Sequence, residues 1–439
     1  MRVGTAAFGR TYLLLLFTAA LSMAVPARAL AQETNVRLVT LSEVVDLAVR
    51  RSPATVSARA DVTSARAGLL QARGSWLPSV TLNGVYGNSS NQRFDQTTGQ
   101  LVSENYTTQL QGSYELFTGG RRWLQQRAAG AGVDAAEAGQ VQQRFATVLT
   151  ATQSFYEAAA AGDLLTVAQQ RVERARQQLD FARTRLELGT ATASDELQAG
   201  IELANAEMAA LEAESAQRAA VLALARVMGV EEDVRPAPGE LPDHAPPLPP
   251  LASLVQRAER SSPAVLAADA SRASARAQRL SAMTPYLPSV RITGGYDWFS
   301  YQFPPGQQSW SLRLYASFPV FNGFQREASL ERARAAANVA EARARDARIA
   351  TRAAVETARH AVELAERRVQ ISGRTLALAR ENLRVQEERY RIGNATILEL
   401  EAAQVALAEA DVAAVRARQA LGGSVAELEA VLGQKLGAE

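Results

Sequence analysis

Apolar and polar residues alternate with a period of two in four places along the chain. Val80, Leu82, Gly84 and Tyr86 share one face of a segment that follows Trp76, Leu77 and Pro78, and Tyr106, Leu110, Tyr114 and Leu116 share one face of a returning segment. Val290, Ile292, Tyr296 and Trp298 are answered in the same way by Trp310, Leu312, Leu314, Ala316, Phe318 and Val320. The opposite faces carry Thr81, Asn83, Gln109, Gln111, Arg291, Asp297 and Arg313. Alternation over about ten residues with aromatics near the ends predicts strands of a membrane β-barrel. A soluble sandwich would bury the same faces against a second sheet, and the sequence offers no other strands to build one. Four strands per chain are too few to close, because closed barrels begin at about eight. Three copies give twelve strands and leave a lumen; two copies giving eight satisfy strand number as well.

A different period governs the longest segments. From Arg121 to Leu188 and from Gln325 to Ile392 no proline interrupts 68 residues rich in Ala, Arg, Glu, Gln and Leu, which predicts two helices of ~100 Å each. Val355, Val362, Val369, Leu376, Leu383 and Tyr390 recur every seven residues, and so do Leu364, Ile371, Leu378, Val385 and Ile392. The two series lie about 200° apart around the helix. Leu165, Val172, Leu179 and Leu186, with Val167, Phe181 and Leu188, repeat the pattern. One seam serves a dimeric coiled coil; two nearly opposed seams require a neighbour on each side, as for a stave in a barrel of helices.

These elements are written twice. WLPSV at 76–80 returns as YLPSV at 286–290, LFTGG at 116–120 as VFNGF at 320–324, and LGTAT at 188–192 as IGNAT at 392–396. The first offset is 210 residues and the other two are 204. Long internal periods mark duplicated architecture. The first repeat spans 32–230, with a strand hairpin at 79–117, a long helix at 121–188, a tip turn at 189–193 and a return helix at 194–229. A proline-rich linker occupies 231–250. The second repeat spans 251–439, with a hairpin at 289–321, a long helix at 325–392, a tip turn at 393–396 and a return helix at 397–432. At the tips Gly189 and Gly393 suit the left-handed residue that ends a helix. Thr192 with Asp195, and Thr396 with Glu399, have capping-box spacing for the returning helix.

Composition narrows the setting. Arg2 and Arg10 precede the apolar run Tyr12 to Val25, and Ala29, Leu30 and Ala31 have the small-residue pattern of a cleavage site, so residues 1–31 read as an export signal. The chain has no cysteine, which excludes disulfides, thiolate metal sites and an acylated N-terminal Cys. The full chain has 47 basic and 45 acidic residues. Without residues 1–31 the balance is near zero and argues against a nucleic-acid partner. The two histidines, His244 in the linker and His360 in a long helix, form no metal-ligand spacing. No nucleophile elbow, phosphate-binding loop or zinc-protease pattern occurs, so no catalytic site, cofactor or metal is expected.

In the order and paired spacing of the LPSV turns, the LFTGG-like strand exits and the LGTAT and IGNAT tips, the chain resembles the TolC-type outer-membrane efflux protein family over the whole predicted mature length. The resemblance implies a mainly α homotrimeric channel-tunnel with a twelve-stranded β-barrel in the outer membrane, continued by a long α-helical barrel across the periplasm of a Gram-negative bacterium. It implies passive conduction of substrates delivered by an inner-membrane pump of the RND, ABC or MFS type through a periplasmic adaptor, in efflux or type I secretion. Gly189, Thr190, Thr192, Gly393, Asn394 and Thr396 then fall at adaptor-docking tips, and Asp195 and Glu399 at a candidate pore constriction. Capping alone also accounts for those two carboxylates, and the roles are compatible. Where some members carry a locking arginine and a second acid, this chain has Ala395 and Ala402. The reading from another class is a structural or adhesive periplasmic coiled-coil protein.

Overall fold

The structure, a computed structural model, describes residues 37–95 and 99–436. The expected signal segment lies outside the described residues. Strand β1 (Arg37–Val39) leads into α1 (Leu41–Arg51) and α2 (Pro53–Gly74), which meet at Ser52. Ser52 takes an extended backbone because the proline after it disfavours the helical region, while Pro53 itself opens α2 without needing an N–H partner. The same break separates α5 (Leu251–Ser261) from α6 (Pro263–Ser281) at Ser262.

Each pair of short helices is followed by a hairpin: β2 (Ser79–Asp95) with β3 (Gln100–Phe117), and β5 (Ser289–Ser300) with β6 (Gln307–Ser317). The four form one antiparallel sheet in the order β2-β3-β5-β6. Then come the long helices α3 (Arg121–Glu187) and α7 (Gln325–Arg391), 67 residues each, and their return helices α4 (Ala193–Met228) and α8 (Ile397–Leu432).

One expectation needs correcting. The interrepeat segment does contain a strand: β4 (Val234–Pro236) pairs in parallel with β1, Val39 opposite Pro236. Three residues are too few to show alternation, and Pro236 costs nothing as the last residue of an edge strand. The small sheet caps a compact core in the first repeat, where Val39, Val44, Phe155, Leu224, Met228 and Val234 are fully or almost fully buried. The second repeat has the corresponding core of Leu254, Val355, Val362, Leu428 and Leu432. A third core joins the repeats near the tips, with Leu179, Ala182 and Ala199 from the first and Leu383, Tyr390, Ile397 and Leu400 from the second.

Candidate functional site

The sheet sorts its side chains by register. Leu82 pairs with Leu110, Leu110 with Tyr296, and Tyr296 with Trp310; Tyr114 pairs with Ile292 and Ile292 with Leu314. Cross-strand partners lie on the same face, so these residues make one apolar surface. On the other face Asn83 pairs with Gln109, Gln109 with Asp297, and Thr293 with Arg313. There Glu115 accepts from Arg121 at 2.6 Å and Arg291 at 3.1 Å. The apolar face is uncovered within the chain: Trp310 is 76% exposed and Leu314 66%. Among the described residues β2 pairs only with β3 and β6 only with β5, so both outer edges are unpaired.

The helical wall shows the same incompleteness. On α7 the first heptad series packs inside the chain, with Val355, Val362, Leu383 and Tyr390 buried. The second series does not: Ile371 is 62% and Leu378 72% exposed. A matching apolar row of Leu197, Ile201, Met208 and Leu211 is exposed on α4. Helices α3 and α8 contact each other between the two hairpins, whereas α7 and α4 each leave a flank open.

At the tips, Gly189 and Gly393 hold φ values of 73° and 79°, a region where a Cβ is strained. Each turn is closed by an arginine four residues before its glycine. Arg185 donates through Nη2 to the Thr190 carbonyl at 3.0 Å, and Arg389 through Nη2 to the Asn394 carbonyl at 3.2 Å. Both capping boxes form. Thr192 N donates to Asp195 Oδ2 at 2.9 Å while Asp195 N donates to Thr192 Oγ1 at 3.3 Å. Thr396 N donates to Glu399 Oε2 at 2.7 Å and Glu399 N to Thr396 Oγ1 at 3.3 Å. The Thr396 backbone N–H, followed by its hydroxyl, holds the Glu399 carboxyl below the usual carboxylate range.

The structure thus places Gly189, Thr190, Thr192 and Asp195 in one turn, and Gly393, Asn394, Thr396 and Glu399 in the other. It also links the turns through residues the sequence reading missed. Arg185 Nη1 donates to the Tyr390 carbonyl at 3.1 Å, its guanidinium lies 5.0 Å from the centre of the Tyr390 ring, and Phe181 meets that ring edge-on at 5.9 Å. Burial raises the Tyr390 phenol. The signal was present in the repeat alignment, where Arg185 and Arg389 occupy equivalent positions. Among the described residues no group of three His, Asp or Glu stands together as metal ligands.

The profile of the outer membrane efflux protein family matches residues 44–230 and 254–434, one match per repeat. Protein CyaE of Bordetella pertussis is 33% identical over 315 residues, a match covering 69% of this chain, which spans 64% of that relative's length. Two solved structures share the fold. A membrane protein from Pseudomonas aeruginosa superposes with a TM-score of 0.77 at 20% identity, covering 92% of each chain. The open state of the MtrE outer membrane channel of Neisseria gonorrhoeae gives 0.73 at 21%, covering 90% of this chain and 89% of that one. With both repeats matched, and with a curated relative above 30% identity, this chain is a member of the outer membrane efflux protein family.

Proposed function

We propose that this chain is the outer-membrane channel of an efflux or type I secretion system, a homotrimer that conducts passively what an inner-membrane pump delivers through a periplasmic adaptor. The observation that carries the reading is the four-stranded sheet with two unpaired edges and one uncovered apolar face, joined to helices of 67 residues. Three copies supply twelve strands, whose apolar face meets outer-membrane lipid and whose polar face lines a wet lumen. Below the barrel the helices, each ~100 Å long, run through the periplasm to the tips. There the turns at Gly189, Thr190 and Thr192 and at Gly393, Asn394 and Thr396 receive the adaptor, and Asp195 with Glu399 ring the narrowest point. The protein does no chemistry of its own in this role.

Planar-bilayer recording of the detergent-purified protein tests this. Discrete single-channel steps, together with a heat-modifiable oligomer band on gels, are expected. A rod that stays soluble without detergent and never conducts would instead identify a periplasmic coiled-coil protein.

A further inference from the structure

The two repeats already meet inside one chain, and that contact contains more than the family membership does. Strand β3 of the first repeat pairs with β5 of the second, placing Leu110 opposite Tyr296, Gly112 opposite Gly294 and Tyr114 opposite Ile292. Just beyond the strand, Gly119 is pressed against the second repeat: a Cβ on it would stand 2.4 Å from the Leu287 Cβ. In the wall, Ala160 of α3 packs with Val415 of α8. At the tip Arg185 donates to the Tyr390 carbonyl.

The duplication turns each of these contacts into a statement about a surface that one chain leaves open. Residues of β3, α3 and the tips recur 204 positions later, and those of β2 recur 210 positions later as β5. Leu110, Gly112 and Tyr114 become Leu314, Ala316 and Phe318, while Tyr296, Gly294 and Ile292 become Tyr86, Gly84 and Leu82. Gly119 becomes Gly323, which has nothing within 4 Å of its Cβ position, and Leu287 becomes Leu77, which is 70% exposed. Ala160 and Val415 become Leu364 and Leu211, exposed on the two open helix flanks.

We propose that the contact between repeats within a chain is the template for the contact between chains, and that it fixes the register of assembly. Strand β6 of one copy adds antiparallel to β2 of the next with Leu314 opposite Tyr86, Ala316 opposite Gly84 and Phe318 opposite Leu82. Gly323 lies against Leu77, and α7 seats on α4 with Leu364 against Leu211. Arg389 donates to the Leu186 carbonyl of the next copy, as Arg185 does to that of Tyr390 within the chain. The register is self-consistent, because Leu82, Gly84 and Tyr86 lie on the apolar face together with Leu314 and Ala316. A slip of one residue would set that face against the polar one. The proposal rests on the reading of the chain as a self-assembling channel and specifies how its copies join.

The absence of native cysteine makes the test clean. Ala316→Cys combined with Gly84→Cys is oxidised in the assembled, detergent-purified protein and run on a non-reducing gel. The two positions cannot bridge within a chain, because they sit on opposite edges of the sheet, about 14 Å apart at ~4.8 Å per strand spacing, and a disulfide reaches only ~7 Å between Cα atoms. Covalently joined chains are expected from this pair, and not from the shifted pair Ala316→Cys with Leu82→Cys. Joined chains from the shifted pair alone would overturn the register and leave the channel reading standing. A particle that sediments as a single chain would remove both. Leu364→Cys with Leu211→Cys reads the same relationship in the helices independently of the sheet. Its failure to link chains in an intact oligomer would refute the template idea even if the strand variants did not fold.

Discussion

Arg185, four residues before the first tip glycine, donates a hydrogen bond to the backbone carbonyl of Tyr390, three residues before the second, at 3.1 Å. Within the described chain this bond joins the two hairpin tips directly. It is reinforced by the guanidinium lying over the Tyr390 ring.

Replacing Arg185 with Met removes the bond between tips and also the brace on Thr190. A hydrogen bond from a charged donor contributes roughly 1.5–3 kcal/mol, less where solvent reaches it. The expected outcome is a channel with higher and noisier single-channel conductance than wild type. Arg185→Lys restores it only in part, because an ammonium lacks the planar fork. Unchanged conductance in Arg185→Met would show that the link does not restrain the tip.

Thr192→Ala and Thr396→Ala each remove an N-cap, at a cost of about 1 kcal/mol apiece. Hydrogen exchange in the first turns of α4 and α8 should accelerate by roughly fivefold, as that energy implies at 25 °C. Exchange at the far ends of those helices should not change. Faster exchange throughout would mean that the caps hold more than their own turns.

The lowered Glu399 carboxyl gives a dependence on acid. Its contribution is present above the unfolded carboxylate value of about 4.3 and is lost as pH falls through the lower folded value. Protection of the first turn of α8 should therefore weaken between about pH 4.3 and the acid side of that range. In Glu399→Gln it should be flat over the same interval. An identical acid response in the variant would assign the effect to another group.

Glu401 behaves in the opposite sense. Burial raises its carboxyl, against the hydrogen bond from Gln198. A raised folded value favours the fold while the group is protonated, and that advantage disappears as pH rises through it. Glu401→Gln should then raise the dissociation temperature of the oligomer at pH 7.5. The gain should shrink toward zero below about pH 4.3, where wild-type Glu401 is neutral in both states. Destabilisation of the variant at pH 7.5 would rule out the burial penalty as the controlling effect.

Ile371→Asp places a charge on the exposed series of α7. Helical content of the single chain should persist, since the site is uncovered within it, while assembly fails. An intact oligomer would show that this flank faces water.

The mainly helical architecture, the four-stranded sheet and the duplication were legible because they rest on periodicities repeated over tens of residues. Leu82, Leu110 and Tyr296 fall on one face by alternation alone, and their register agrees. The pairing of β1 with β4 was not legible, since three residues such as Arg37–Val39 carry no period and their partner lies nearly two hundred positions away. Nor was the bond from Arg185 to Tyr390, because its acceptor is a backbone carbonyl and leaves no trace in residue type. The capping boxes could be read from Thr192, Asp195, Thr396 and Glu399, since a reciprocal pair of hydrogen bonds demands particular side chains three apart.

Each tip is closed by its own bonds: glycine in the left-handed region, arginine onto the following carbonyl, threonine and acid exchanging hydrogens. Only the reach of Arg185 to Tyr390 and the apolar core behind it tie one hairpin to the other. Widening the aperture is therefore a matter of parting two finished pieces, like leaves of an iris, with no unravelling inside either blade.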